Sequence, residues 1–364
     1  MNIIINSEEF VNHLNKIVGV VDRKQTMPIL GHILISGKSG EITLTATDLE
    51  VQISSTFKAN ISDDFVFTLP GRKLFDILRS LGDTEVELSS DKETVILKTS
   101  RSKFSLQQMP SNEFPLFEET SSDQAFSIKQ EELASIFNKT QFAMAQQDVR
   151  FYLNGLLIEI QPESINVVGT DGHRLAKTTA PLEKKKINEQ SCIVPRKAIQ
   201  ELTRSLAEST DCKVSLEDNQ ASFRFSHVTL ITKLIDGTFP DYNRVIPQKT
   251  STNIMLDTKL LKPALQRVSI LANEKFKGVR IDINNNKITI SSENPEQEQA
   301  IEDLDIDETD IELSIGFNVS YLIDAVNACS GELVTLGVND DNSSALITDP
   351  SDPNTKYVVM PMRL

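Results

Sequence analysis

The 364-residue chain has three cysteines, Cys192, Cys212 and Cys329, and no CxxC pair among them. An odd count without pairing spacing argues against a disulfide framework and suits a reducing compartment. Four scattered histidines, His13, His32, His173 and His227, supply no metal-ligand spacing. GxGxxG, P-loop, HExxH and GxSxG motifs are all missing, so no catalytic residue, metal or cofactor is implied. No run approaches the roughly 18 apolar residues of a membrane helix. Met1-Asn2-Ile3-Ile4-Ile5 has neither the basic segment nor the cleavage site of a signal peptide. The expectation is a cytoplasmic protein with no membrane partner. Its 39% hydrophobic and 24% charged residues are ordinary for a globular chain, long enough for two or three domains.

What is present is a threefold repeat. A strand and a polar turn recur as Ile42-Thr-Leu-Thr-Ala-Thr-Asp48, Ile165-Asn-Val-Val-Gly-Thr-Asp171 and Ile288-Thr-Ile-Ser-Ser-Glu-Asn294, in steps of 123 positions. That period is domain-sized rather than solenoid-sized. Leu69-Pro-Gly-Arg-Lys73 and Val194-Pro-Arg-Lys197 each open a helical pattern, and the copies close on Asn112-Glu-Phe-Pro115, Gly237-Thr-Phe-Pro240 and Met360-Pro361. Polar linkers at 118–123 and 247–252 separate copies over 1–122, 126–249 and 252–364.

Each copy carries two amphipathic helical patterns among short alternating strands, an α+β organisation with antiparallel sheets. The first helices bury Phe10, Leu14, Ile17 and Val18, then Leu133, Ile136 and Phe137, then Leu260, Ala264, Leu265 and Val268. Asn6 with Glu9, and Asp257, are the expected N-caps. Pro263 falls inside the third pattern, so that helix is expected to start late or kink. The second helices read Leu74, Ile77, Leu78 and Leu81; Ala198, Ile199 and Leu202; Tyr321, Leu322 and Ala325.

The net charge of −15 argues against nucleic acid, because Lys and Arg supply most non-specific affinity for phosphates. The helical patterns depart from that balance. Beyond first-turn acids they hold Lys16, Arg72, Lys73, Arg79, Lys139, Arg196, Lys197, Arg204, Lys259, Lys262 and Arg267 against Asp76, Glu201 and Asp324. Helices gathered on one side would make that side positive. The run Lys184-Lys-Lys186 reads as a solvated loop. Asp171, His173 and Arg174 could form an acid–base group, but no nucleophile or metal spacing accompanies them.

Six segments in order resemble the bacterial DNA polymerase III beta sliding clamp family: Pro28-Ile-Leu-Gly31, Gly169-Thr-Asp-Gly-His-Arg-Leu175, Phe239-Pro-Asp-Tyr242, Asn273-Glu-Lys-Phe276, Asn294-Pro-Glu-Gln-Glu298 and Tyr357-Val-Val-Met-Pro-Met-Arg-Leu364. They span the whole chain. The resemblance implies three clamp-fold repeats, a head-to-tail homodimer closed into a ring, and a non-catalytic processivity role. The implied partners are double-stranded DNA held topologically and without base readout, an ATP-driven clamp loader, and the polymerase III alpha subunit. Other polymerases and repair proteins would bind through the same short peptide motif.

Three sites follow from the resemblance. A peptide pocket is expected from Leu153, Thr170, Gly172, His173, Arg174, Leu175, Pro240, Arg244, Val245, Asn318, Tyr321, Val358, Met360, Pro361 and Met362. Its methionines suit an adaptable apolar cleft. The DNA-facing surface is expected at Lys24, Arg72, Gln147, Phe151, Tyr152, Arg196 and Lys197. Lys24 and Phe151 stand where the family commonly has arginine and tyrosine, losing a bidentate fork and a hydroxyl. A dimer interface is expected to set Lys73, Arg101, Lys103, Phe104 and Leu106 against Ile270, Leu271, Glu296, Glu298 and Glu302, an apolar centre with a charged rim.

Overall fold

A computed structural model describes residues 2–21, 27–61, 63–91, 93–118, 125–182, 188–206, 208–307, 309 and 311–363. Lys24, Lys184–Lys186 and residues 119–123 of the first linker lie outside this set.

Six α-helices occur among the described residues: α1 (Ser7–Ile17), α2 (Gly71–Leu81), α3 (Gln130–Thr140), α4 (Arg196–Ser205), α5 (Thr258–Ile270) and α6 (Val319–Ala328). Their starts follow the sequence. Asn6 Oδ1 accepts the Glu8 and Glu9 N–H groups at 2.9 and 3.1 Å, and Asp257 Oδ1 accepts from Lys259 at 2.7 Å. Each satisfies donors that have no partner within the helix.

The helix α5 begins at Thr258 and continues through Pro263 to Ile270, so of the two alternatives for Pro263 the late start does not occur. One expectation for α5 requires correction. Leu260 is 59% exposed, and Leu261 takes the buried position instead. With the cap at Asp257, the buried face follows Thr258, Leu261, Ala264, Leu265 and Val268, the i, i+3, i+4 spacing that leaves Leu260 outside.

The strands form two eight-stranded and two four-stranded antiparallel sheets among the described residues. One eight-stranded sheet runs Phe65–Pro70, His32–Lys38, Glu41–Thr47, Val51–Lys58, Val228–Lys233, Gln220–Phe225, Asp211–Leu216, Phe126–Lys129. The other runs Gln190–Pro195, Gly155–Gln161, Ser164–Thr170, Arg174–Pro181, Asp352–Val359, Ala345–Asp349, Leu333–Val338, Thr252–Asp257. Each therefore joins strands of two successive copies. The joining pairs are Leu230 opposite Ile53 and Tyr357 opposite Ala176.

This sharing explains why the compact units do not coincide with the repeat. Unit 1 comprises Met1–Ala134 and Lys197–Leu234, and unit 2 comprises Ser135–Arg196 and Ile235–Leu364. Unit 1 also holds the four-stranded sheet Asn2–Asn6, Glu85–Ser90, Thr94–Lys98, Lys103–Gln107. Unit 2 holds Gln299–Asp305, Lys287–Glu293, Gly278–Asn284, Glu312–Asn318. Inside unit 2, Leu261, Leu265 and Val268 of α5 and Leu322 and Val326 of α6 pack on Ile281, Ile288, Ile290 and Leu336. Each such side chain contributes about 1.5–3 kcal/mol of burial.

Candidate functional site

The repeated acid in the turn has one local job. Asp48 Oδ1 accepts the N–H groups of Glu50 and Val51 at 2.9 and 2.7 Å. Asp171 Oδ1 accepts those of His173 and Arg174 at 2.9 and 3.0 Å. Asn294 Oδ1 accepts from Glu298 at 2.9 Å, across a turn one residue longer. A short side-chain acceptor two and three residues upstream stabilises the reversal and leaves the next residue left-handed. That residue is Leu49 (φ 75°) in unit 1 and Gly172 (φ 89°) in unit 2.

In unit 2 this turn borders a cavity of about 200 Å³. Leu153, Thr170, Gly172, Arg174, Leu175, Pro240, Val245, Val358 and Met360 line it, together with Arg150, Tyr152, Asp241 and Tyr242. Its backing is an apolar cluster of Leu157, Val168, Leu175, Ile193, Tyr242, Ile246 and Val358. These side chains lie on the face of the sheet opposite Leu156, Ile158 and Ile160, because strand residues alternate.

Arg174 organises the polar edge. Its Nε donates to Asp171 Oδ2 at 3.1 Å, Nη1 to Asp324 Oδ2 at 2.5 Å and Nη2 to the Phe142 carbonyl at 2.6 Å. The guanidinium also lies 4.5 Å from the Tyr321 ring centroid, so its orientation is set from four directions. Arg150 is clamped by Asp148, whose carboxyl its hydrogen bonds hold down to about 2. An apolar floor with arginines fixed at the rim suits a peptide carrying apolar side chains. It is not an acid–base centre: the His173 side chain is exposed, and its hydrogen bonds are made by the backbone, the N–H donating to Asp171 Oδ1 and the carbonyl accepting from Met360 N, each at 2.9 Å. Burial pushes the thiols of Cys192, Cys212 and Cys329 up to about 12. No group of three or more metal-ligating side chains occurs among the described residues.

Six residues expected in the pocket lie outside this cavity. Arg244 points into solvent and pairs with Asp241 at 2.9 Å. Asn318 caps α6, and Tyr321 stacks beneath Arg174. His173 and Pro361 do not line the cavity. Met362 borders a separate cleft of about 730 Å³ in unit 2, with Phe276, Arg280 and Ile301. Arg150, Asp241 and Tyr242 went unread in the sequence, although Tyr242 closes the quoted Phe239-Pro-Asp-Tyr242 segment.

The residues expected to face DNA also separate. Phe151 is 71% exposed, whereas its neighbour Tyr152 turns into the cavity wall. Both sit in the 3-10 turn Phe151–Leu153, where adjacent side chains point about 120° apart. Arg72 Nε donates to the Val21 carbonyl at 2.8 Å and Arg196 Nη1 to the Met144 carbonyl at 3.0 Å. Those carbonyls are 123 positions apart, so the two arginines repeat one structural brace. Gln147 is exposed and left-handed, with φ 55°.

The surplus of bases on the helices is smaller than the sequence count. Lys139, Lys197 and Arg267 pair with Asp352, Asp48 and Glu302 at 2.7, 2.5 and 2.6 Å. Arg204, Lys259 and Arg79 pair with Glu201, Glu332 and Asp76. A paired base projects less potential than a free one, and most of these acids come from strands and turns that a helix-by-helix count omits.

Of the expected interface, Lys103 and Phe104 occupy a sheet edge, while Leu106 is already buried in unit 1. Ile270 is 75% exposed. Glu302 is held by its own Arg267, and Glu298 accepts from Asn294 Nδ2 at 2.7 Å. Ile301, which the sequence reading passed over, is 62% exposed on the edge strand Gln299–Asp305.

Three family models match in succession: the N-terminal, central and C-terminal domains of the DNA polymerase III beta subunit, over residues 1–118, 127–241 and 243–363. The chain is 39% identical to the beta sliding clamp of Pseudomonas aeruginosa over 368 residues, covering all of both. It is 38% identical to that of Escherichia coli K12 over 367 residues, again complete on both sides. The crystal structure of the Pseudomonas aeruginosa DNA polymerase III subunit beta superimposes with a TM-score of 0.96 at 38% identity, with full coverage of both chains. A Pseudomonas aeruginosa sliding clamp bound to griselimycin gives 0.95 at 38%, also with full coverage.

Proposed function

The chain belongs to the DNA polymerase III beta subunit family, the sliding clamp of DNA replication with no catalytic activity of its own, and on that premise we propose how its residues divide the work. Two copies close head to tail around double-stranded DNA. The observation that carries this is the pairing of repeated edges. Strand Val228–Lys233 pairs with Val51–Lys58, and Asp352–Val359 pairs with Arg174–Pro181. Their counterparts, Lys103–Gln107 and Gln299–Asp305, end their own sheets. A heterologous contact repeated with closure yields a ring rather than a filament.

The repeat also supplies a register. Phe104 faces Leu97 within its hairpin as Leu230 faces Phe223. Allowing for the longer turn after Asn294, Ala300 takes the place of Ile53 and Ala176. Phe104 then meets Ala300 of the second copy, and Arg101 lies opposite Asp303. Ile270, Leu271 and Ile301 supply apolar surface beside this strand pair. Lys73, Lys103, Glu296, Glu298 and Glu302 form the rim, where single ion pairs add little.

The cavity around Leu175, Val358 and Met360 takes the apolar side chains of a short peptide motif shared by the polymerase III alpha subunit, other polymerases, repair proteins and the clamp loader. Arg72, Gln147, Phe151, Arg196 and Lys197 face the DNA, which is held by encirclement rather than by base readout. The copies extend over 1–122, 126–249 and 252–364, and the protein works in the cytoplasm, consistent with the lack of any membrane-length apolar helix among the described residues.

The test is topological. Loaded onto nicked circular duplex DNA, the protein is expected to remain bound through a high-salt wash and to be released when the circle is linearised. Equal retention on both forms would overturn the reading.

A further inference from the structure

The outer wall of the cavity is irregular chain. Between strand Val228–Lys233 and strand Thr252–Asp257 the only regular turn is Tyr242–Arg244. Ile235, Phe239, Tyr242 and Ile246 hold this segment down on the sheet. Apolar packing is non-directional, so it does not by itself determine where the wall residues Pro240, Asp241 and Val245 come to rest.

Directional contacts do: the Ile235 N–H donates to the Ile193 carbonyl at 2.9 Å where the segment begins, and a side-chain contact fixes it beside the wall residues. Tyr242, 7% exposed, donates from its hydroxyl to Glu159 Oε2 at 2.6 Å. The Lys177 ammonium lies 5.2 Å from the centroid of the same ring. Glu159 stands on strand Gly155–Gln161 opposite Asn166, whose own amide oxygen accepts from Thr179 at 2.7 Å. The acceptor is thus built on three neighbouring strands, while the donor sits on the segment that needs fixing.

Unit 1 supplies the comparison. By the repeat, Pro115 corresponds to Pro240, so Phe117 corresponds to Tyr242, and Ser36 corresponds to Glu159. Both the hydroxyl and the carboxylate are missing from the copy in which a leucine occupies the position of Gly172.

We propose that Glu159 is a positioning residue for partner binding: through the Tyr242 hydroxyl it sets the wall that carries Pro240, Asp241 and Val245. This rests on the cavity being the partner-peptide site. The probe is griselimycin, measured by titration calorimetry on the full-length protein. Glu159→Leu keeps the bulk and removes the acceptor, and is expected to bind about tenfold more weakly, the size of one charge-assisted hydrogen bond. Glu159→Gln keeps an acceptor oxygen and is expected to restore binding to within about twofold. Protein already loaded on circular DNA is expected to be retained through the high-salt wash equally in both, because encirclement does not use the cavity although loading does.

Val245→Arg, on the half-exposed rim, separates the two ideas. If Val245→Arg abolishes binding while Glu159→Leu binds normally, or if Glu159→Gln is as weak as Glu159→Leu, the role of Glu159 is overturned. If Val245→Arg binds griselimycin like the parent, the cavity reading itself fails. Should Glu159→Leu not fold, Tyr242→Phe removes the same bond from the donor side and must give the same loss.

Discussion

Leu49 and Gly172 occupy the same place in two copies of one turn, and the difference between them accounts for the cavity. Both are left-handed, at φ 75° and 89°, because the carboxylates of Asp48 and Asp171 fold the same reversal. In unit 1 the leucine accepts that strained conformation, and its side chain packs on Ile29, Leu30, Leu34 and Phe114. In unit 2 the glycine places nothing there, and a Cβ at Gly172 would come within 3.0 Å of the Arg150 guanidinium. Around it, Leu30 is matched by Leu153, whereas Gln52, which accepts the Phe117 N–H at 2.8 Å, is replaced by Leu175. The same backbone is filled in one unit and opened in the other. The cavity borders the turn at which that side chain is left out.

The largest effect should come from reversing that omission. Gly172→Leu puts into unit 2 the residue that unit 1 already tolerates at this backbone angle, so the fold should survive. The side chain enters the cavity, and affinity for griselimycin, the ligand bound in the Pseudomonas aeruginosa clamp structure and the probe of the proposed site here, is expected to fall by at least about a hundredfold, read by calorimetry against the parent. Normal binding would show that the cavity is not the ligand site.

Leu49→Gly is the converse and should be milder. The lost packing of a half-buried leucine is partly offset by relief of the left-handed strain, leaving about 1–2 kcal/mol of destabilisation in denaturant unfolding. A variant as stable as the parent would mean that Leu49 fills nothing.

The smallest effect concerns acid. His13, stacked 4.6 Å from Phe57 with Nδ1 2.8 Å from Ser55 Oγ, has its pKa lowered from 6.5 to about 4 by burial, with Lys16 and His227 adding to the effect. Between those values the unfolded chain binds the proton and the folded chain does not. Stability from this group is therefore complete above pH 6.5 and is lost as pH falls toward 4. The repeat places Ile136 and Ala264 at the corresponding positions of α3 and α5. Unit 1 should thus lose stability first on acidification, and His13→Phe should flatten that dependence. An unchanged slope would remove His13 from the account.

Much of the scaffold was legible in the residues. The step of 123 positions, the caps at Asn6 and Asp257, and the paired turns at Asp48 and Asp171 are local signals, and each appears where the pattern placed it. Local signals also misled. Leu260 and Leu261 are indistinguishable by type, and only the position of the cap decides which is buried. Phe151 and Tyr152 read as one aromatic pair, yet one turn of 3-10 helix sends Tyr152 into the cavity and leaves Phe151 in solvent. The helix bases looked like an uncompensated surplus because partners such as Asp352 and Glu302 lie far away in sequence.

The absence of any reactive motif and the threefold repeat were therefore properties of the sequence alone, since both depend on residue type and short-range spacing. The cavity, its arginine-clamped edge and the Tyr242–Glu159 bond were decided by tertiary structure. Tyr242 meets Glu159 across 83 positions and Arg174 meets Asp324 across 150, and only the folded sheets and the segments packed on them bring such residues within bonding distance.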